Sequence, residues 1–312
     1  MTSNSPKPNP PAVDDEVWVG YYVVCLVDLL GQKAGLDKWA QLPPDLQPTP
    51  ALINALKETA GSVQAFRQMF ESYFQEWEQP HFSQAWIDSL PQDKKDLYWR
   101  SKDCRLSTQQ FGDTFVFFSP TSNSSGDVSM DGMLRILVAC CWAMTFSLAG
   151  RVPLRGAICV GTGMELDEHN FYGPALAKAH FLESKVAGHP RVVLSREAVR
   201  FVQGNAGFSE APTIEALMKQ VAATCRTLLC EDEDGQVIVD FLGKGCLGVQ
   251  GEVDSEMVSA VEKAYRFVCS EALRFGQEGD TKHAERYTLL RRYVKARLPL
   301  WGLAHLLETD SA

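Results

Sequence analysis

Two aspartates in this chain stand where an apolar strand meets a glycine turn, and acids so placed can hold a divalent cation. Asp28 closes the run Tyr22-Val23-Val24-Cys25-Leu26-Val27-Asp28-Leu29-Leu30-Gly31. Asp113 lies in Phe111-Gly112-Asp113-Thr114-Phe115-Val116-Phe117-Phe118. Mg²⁺ and Mn²⁺ are hard cations that bind through one or two carboxylates and complete their shells with water and phosphate oxygens. Two such acids on neighbouring strands point to metal-assisted chemistry at a phosphate. Either acid alone also serves as an ordinary hairpin or strand-end residue; the two contexts together favour the metal.

The elements that must position these acids are legible in part. A chain of 312 residues, 45% of them hydrophobic, suffices for one large domain or two small ones with a substantial core. The net charge of −9 argues against a sequence-independent nucleic-acid binder, which needs a basic footprint, but leaves room for a nucleotide held by a metal and a few local bases. Nine cysteines without a Cys-x-x-Cys spacing or a zinc-like cluster read as buried free thiols of a cytoplasmic protein, with a Cys230–Cys246 redox pair as the alternative. Residues 1–14 carry four prolines among polar residues and are expected to form a disordered arm. The longest apolar stretch, Ile136–Ala149, has 14 residues, short of the about 20 that cross a bilayer. It reads as a buried helix with Ser129 as N-cap, Asp131 in the first turn and Gly150 as its stop, so no direct membrane contact is expected.

Between the aspartates lies a helical insert, about 33–100. Thr49-Pro50 opens a helix there, with proline at the first turn. Val63, Phe66, Met69, Phe70, Tyr73, Phe74 and Trp77 then form an amphipathic stripe, suited to packing on the chain's own sheet or to dimerisation or sensing. Further on, Leu228-Leu229-Cys230 and Val237–Leu242 flank Glu231-Asp232-Glu233-Asp234-Gly235. The Asp-Gly step marks a hairpin, and its acids are expected to be exposed. Two amphipathic helices, near 254–276 and 281–298, close the chain. Arg286, Arg291, Arg292, Lys295 and Arg297 on the second read as a solvated face or a surface for an acidic partner.

Four segments follow one another in an order that carries a resemblance. They are the Asp28 strand end, the Gly112-Asp113 hairpin, the strand Leu154-Arg155-Gly156-Ala157-Ile158, and Phe171-Tyr172-Gly173-Pro174-Ala175-Leu176-Ala177 running on to Leu182-Glu183-Ser184. Over about residues 17–31 and 104–245 the chain resembles the catalytic core of class III nucleotidyl cyclases. In the wording of the later strand and helix it is closer to the bacterial antiphage pyrimidine cyclases of Pycsar systems. The resemblance implies an α/β (α+β) fold: a mostly antiparallel sheet with surrounding helices, residues 15–250 forming the catalytic domain with its insert and 251–312 a C-terminal helical extension. It also implies two ions, Mn²⁺ or Mg²⁺, bridged by Asp28 and Asp113 with the Leu29 carbonyl as a further oxygen. UTP would be cyclised to cyclic UMP with release of pyrophosphate, in a homodimer with composite sites, and the product would act on a separate effector in antiphage defence.

The positions that read the base in that family fall on Gln109 and Asn170, where adenylyl members carry Lys and Asp. A side-chain amide both donates and accepts, so uracil, cytosine and purine edges all remain open. Tyr172 offers a ring to stack on the base or narrow the pocket. Two positions depart from the family: the ribose-orienting asparagine falls on Ala177 and the transition-state arginine on Phe181. Losing a charge-stabilising group of this kind costs roughly 10²–10³ in rate. Either Arg155, Lys178, Lys185 or Lys244 supplies the charge, or the chain is a slow or silent cyclase-like nucleotide-binding protein. No Walker Gly-x-x-x-x-Gly-Lys, His-Glu-x-x-His or Gly-x-Ser-x-Gly motif is present to indicate a different enzyme.

Overall fold

Residues 22–27 are apolar on both faces, and a strand of that kind needs cover on both sides. In the computed structural model β1 (Trp18–Leu29) accordingly lies inside the sheet. The other strands are β2 (Ser107–Phe111), β3 (Thr114–Pro120), β4 (Leu154–Asp167), β5 (Asn170–Tyr172), β6 (Val192–Leu194), β7 (Leu229–Glu231) and β8 (Val237–Val239). Their spatial order is β2-β3-β1-β4-β6-β8-β7, with β5 paired to the far end of β4. Every pairing is antiparallel except β4 with β6. The fold is thus mixed α/β, an eight-stranded, mostly antiparallel sheet with surrounding helices. The structure describes residues 18–32, 47–76, 84–102, 104–122, 128–167, 170–205, 214–250 and 255–308; the arm expected at 1–14 and Trp77 of the insert stripe lie outside them.

The helices are α1 (Pro50–Glu76), α2 (Gln84–Ser89), α3 (Gln92–Ser101), α4 (Asp131–Ala149), α5 (Pro174–Phe181), α6 (Arg196–Asn205), α7 (Ile214–Thr227), α8 (Lys244–Gln250), α9 (Ser255–Glu278) and α10 (Thr281–Lys295). Strand alternation sorts them onto the two faces. Val23, Cys25, Val27 and Leu29 face a large core shared with α1, α4 and the C-terminal helices. Tyr22, Val24 and Leu26 face a smaller one closed by Phe171, Ala175, Ala179 and Leu182. Among the described residues α4 is the one helix long and apolar enough to cross a bilayer, and it is mostly buried inside the protein. It starts one residue later than Ser129 predicts: Met130 is the N-cap, and the Ser129 hydroxyl accepts from the Asp131 N–H at 3.3 Å.

The insert packs on its own sheet. Phe66, Phe70 and Phe74 of α1 are buried, and the Phe70 ring stacks on Phe117 with centroids 3.8 Å apart and planes 9° from parallel. Glu71 of the same helix accepts from the Thr108 hydroxyl of β2 at 2.9 Å. The C-terminal extension joins the large core through Val261, Val268, Leu290 and Trp301, and the Trp301 indole donates to the Leu242 carbonyl at 3.0 Å. Nine free cysteines are present, none in a disulfide. Cys246 contacts Cys141, and Cys230 accepts from Arg297.

Two expectations about surface charge need correction at single residues. Glu231, Glu233 and Asp234 are exposed as expected, but Asp232 is largely withdrawn, and the β7–β8 hairpin folds Asp232 and Asp234 onto Arg191, which is almost fully buried. Arg297 is not on a solvated face either, because its guanidinium pairs with Asp240 and lies over the Tyr293 ring at 3.8 Å.

Candidate functional site

The pairing of Phe111 with Thr114 leaves Gly112-Asp113 as a two-residue hairpin loop. Gly112 has φ 63°, which a tight hairpin turn demands and glycine adopts without steric cost. The turn is stitched to the end of β1 by the Leu29 N–H, which donates to the Asp113 carbonyl at 3.2 Å. In an antiparallel strand a residue's N–H and C=O point to the same side, so the Leu29 carbonyl also faces the hairpin tip. Asp28 stands opposite Thr114 on β3 and opposite Arg155 on β4. Directly paired residues project to one face of a sheet, so the three side chains meet. Close approach of β4 to β1 depends on Gly156, where an added Cβ would lie 2.6 Å from the Leu26 carbonyl oxygen.

The Thr114 hydroxyl donates to Asp28 Oδ1 at 2.7 Å, while Arg155 Nη2 lies 3.8 Å from Oδ2. Burial pushes the Asp28 carboxyl above its ordinary range. The Thr114 hydrogen bond works against that, the Asp113 charge adds to it, and the Arg155 charge opposes it. Behind Arg155 stands a second acid, from the Leu182-Glu183-Ser184 segment, to which the sequence assigned no role. Glu183 accepts from Arg155 Nε at 2.6 Å, and Nη2 approaches the same oxygen. Burial raises its carboxyl too, with Arg155 opposing and Asp28 contributing. Glu183 sits in a π-turn, Leu182–Val186, that continues α5. Such turns concentrate at functional sites.

A divalent ion fits this end of the sheet. An ionised carboxylate has about four lone-pair positions, and one hydrogen bond plus a distant guanidinium leave Asp28 with spare acceptor capacity. A carboxylate whose charge a second carboxylate disfavours, as Asp113 does at Asp28, gains from a shared cation. Among the described residues no group of three or more His, Cys, Asp or Glu is arranged to hold a metal. A cation here would rest on Asp28, Asp113, the Leu29 carbonyl and external oxygens. On the opposite face Asp113 borders a cavity of about 780 Å³ between α1 and the hairpin, lined also by Leu56, Val63, Arg67 and Gln110.

Three of the remaining residues form a second group. Gln109 is buried and its side-chain oxygen accepts from the Phe171 N–H at 3.0 Å. Asn170 donates to Asp167 at 2.6 Å, and Tyr172 is 66% exposed. The structure therefore gathers Gln109, Asn170 and Tyr172 around β5, and gathers Asp28, Leu29, Asp113 and Arg155 at the hairpin. Lys178 joins neither group: its charge acts on Cys159 and Glu197, and its Nζ lies 5.9 Å from the Phe181 ring. A signal for Glu183 was present in the sequence. Ala175, Ala179 and Glu183 are spaced four apart, which puts an acid on the buried stripe of a helix. Comparison of the chain with family models, with characterised proteins and with solved structures finds no match.

Proposed function

We propose that the chain is a metal-dependent nucleotidyl cyclase of the cytoplasm that converts a pyrimidine nucleoside triphosphate, UTP first, into its cyclic monophosphate and pyrophosphate, for a separate effector in antiphage defence. One observation carries the reading. Two aspartates remote in sequence meet at one end of the sheet, where the Leu29 N–H ties their backbones together and their charges oppose each other. Mn²⁺ or Mg²⁺ ions bound there would activate the attacking 3′-hydroxyl and neutralise the triphosphate. The chain's own part is positional. The Thr114 hydroxyl fixes the Asp28 carboxylate, the glycine turn presents Asp113 beside it, and Arg155 supplies a positive charge within reach of the reacting phosphate.

The distance of Tyr172 from the aspartates supports a homodimer with composite sites. Met164, the β4 partner of Tyr172, stands nine residues beyond Arg155, roughly 30 Å of strand, whereas Gln109 stands on the hairpin strand that leads into Asp113. A nucleotide anchored at the aspartates of one chain would meet the β5 group of a second. The alternative reading, a silent nucleotide-binding relative, is favoured by Ala177 and Phe181, since neither side chain can hydrogen-bond to ribose or phosphate. Incubating the full chain with each of the four nucleoside triphosphates and Mn²⁺, with products read by mass spectrometry, separates these readings. Cyclic UMP that disappears in Asp28→Ala and Asp113→Ala is expected. No cyclic product from any triphosphate would refute turnover, and Mn²⁺-dependent nucleotide binding without product would establish the silent reading.

A further inference from the structure

Arg155 lies between two acids and is hydrogen-bonded to one of them, Glu183. Its Nε and Nη2 both address Glu183, and Nη2 is also the atom nearest Asp28, at 3.8 Å. All three side chains are mostly withdrawn from water, with 17% of Arg155, 24% of Asp28 and 6% of Glu183 exposed. A guanidinium in such a place has two effects on a cation arriving at Asp28. It repels the ion directly, and it repels less the more of its charge a neighbouring carboxylate neutralises. The π-turn supplies that neutralisation from a different element, since Glu183 comes from the α5 continuation and not from the strands that carry the aspartates.

We propose that Arg155 is the internal counter-cation of the two-aspartate site and that Glu183 is a positioning residue that sets divalent-ion affinity by holding Arg155 back from Asp28. This rests on the reading of Asp28 and Asp113 as a cation site. Glu183→Gln keeps the shape and one acceptor but releases the full charge of Arg155 toward Asp28, so affinity falls. Arg155→Met removes the repulsion, so affinity rises. The double variant removes a neutral pair, leaves the net charge around the aspartates unchanged, and returns affinity close to that of the wild type. Each single change is expected to move the Mn²⁺ dissociation constant by about tenfold, the scale of one unit charge a few ångströms from an ion in a half-screened site.

The test is titration of the full chain with Mn²⁺ in the absence of nucleotide, free ion being followed by electron paramagnetic resonance and folding by circular dichroism. Opposite shifts in the two single variants, cancelling in the double to within about threefold, support the inference; damage to the fold would weaken binding in both. Should Arg155→Met fail to fold, Glu183→Gln against the charge-preserving Glu183→Asp decides, with weakening expected in the first and near-wild-type affinity in the second. Wild-type binding that Asp28→Asn abolishes, combined with singles that shift together or not at all, overturns this inference and leaves the cation site standing. Wild-type protein with no Asp28-dependent Mn²⁺ binding overturns both.

Discussion

Replacing Asp232 by alanine tests whether the acidic hairpin is a solvated turn or a structural clamp. The guanidinium of Arg191 has five N–H donors, and all five are engaged. Nε donates to the Ala187 carbonyl at 2.7 Å, Nη2 to the Val186 carbonyl at 3.1 Å and to Asp234 Oδ2 at 2.6 Å, and Nη1 to Asp234 Oδ1 at 3.0 Å and to Asp232 Oδ2. Only 5% of the Arg191 side chain is exposed, against 14% for Asp232 and 50% for Asp234. Asp232→Ala removes one buried charged hydrogen bond while the bidentate Asp234 contact survives, a cost of about 2 kcal/mol. Asp234→Ala, at a half-exposed position, should cost about 1 kcal/mol. Removing both strands a buried guanidinium, which costs about 3–5 kcal/mol, so the double variant should exceed the sum of the singles. With an unfolding entropy of roughly 0.65 kcal/mol/K for a chain of this size, 2 kcal/mol lowers Tm by about 3 °C. Thermal melts followed by circular dichroism at pH 7 provide the measurement. An Asp232→Ala protein melting within about half a degree of the wild type, with strictly additive doubles, would refute the clamp.

The same cluster predicts a pH dependence. Burial and the Arg191 charge push His189 down to about 4. Between about pH 6.5 and 4 the unfolded chain therefore binds a proton that the folded one does not, and stability falls as pH is lowered through that window, by up to about 3 kcal/mol. Urea titrations at pH 7 and 5 should show the loss, and His189→Gln should flatten it. Gly156→Ala, whose Cβ would meet the Leu26 carbonyl oxygen at 2.6 Å, should cost about 1–3 kcal/mol and disturb the alignment of Arg155 with Asp28, read as a lower Tm together with weaker Mn²⁺ binding. If the sites are composite, mixing Asp28→Ala with Asn170→Ala protein should restore part of the activity that each lacks alone; unmixed and mixed samples of equal activity would refute two-chain sites.

What the sequence disclosed and what it hid follow from the range of the forces involved. Strand β1 was legible because six consecutive apolar residues, 22–27, can be satisfied only between two layers. The hairpins at Gly112 and Gly235 were legible because a positive φ is a local demand that glycine answers. Helices α1, α4, α9 and α10 were legible from periodicity and composition within a few residues of their bounds. The pairing of the acids at 232 and 234 was hidden because their partner lies 41 and 43 residues away. No local pattern distinguishes a solvated turn acid from one that a long connection folds onto a buried arginine.

The candidate site divides along the same line. Asp28 and Asp113 stood out because each lies at a strand end beside a glycine, and a strand end fixes direction as well as position. Glu183 did not, although it is the closest charged neighbour of Arg155. Its position depends on a parallel pairing, since the β4 to β6 crossover is what lays α5 and the π-turn over the start of β4. A parallel pair requires a crossover, usually helical, and that helix must cover one face of the strands it joins. In this chain the face it covers is the one that carries Asp28 and Arg155. The topology that completes the smaller core therefore also brings the third carboxylate to the site. The charge balance around Asp28 is then set by the register of the crossover against β4, and one step of slip along the helix would turn Glu183 to solvent and leave Arg155 to the aspartate alone.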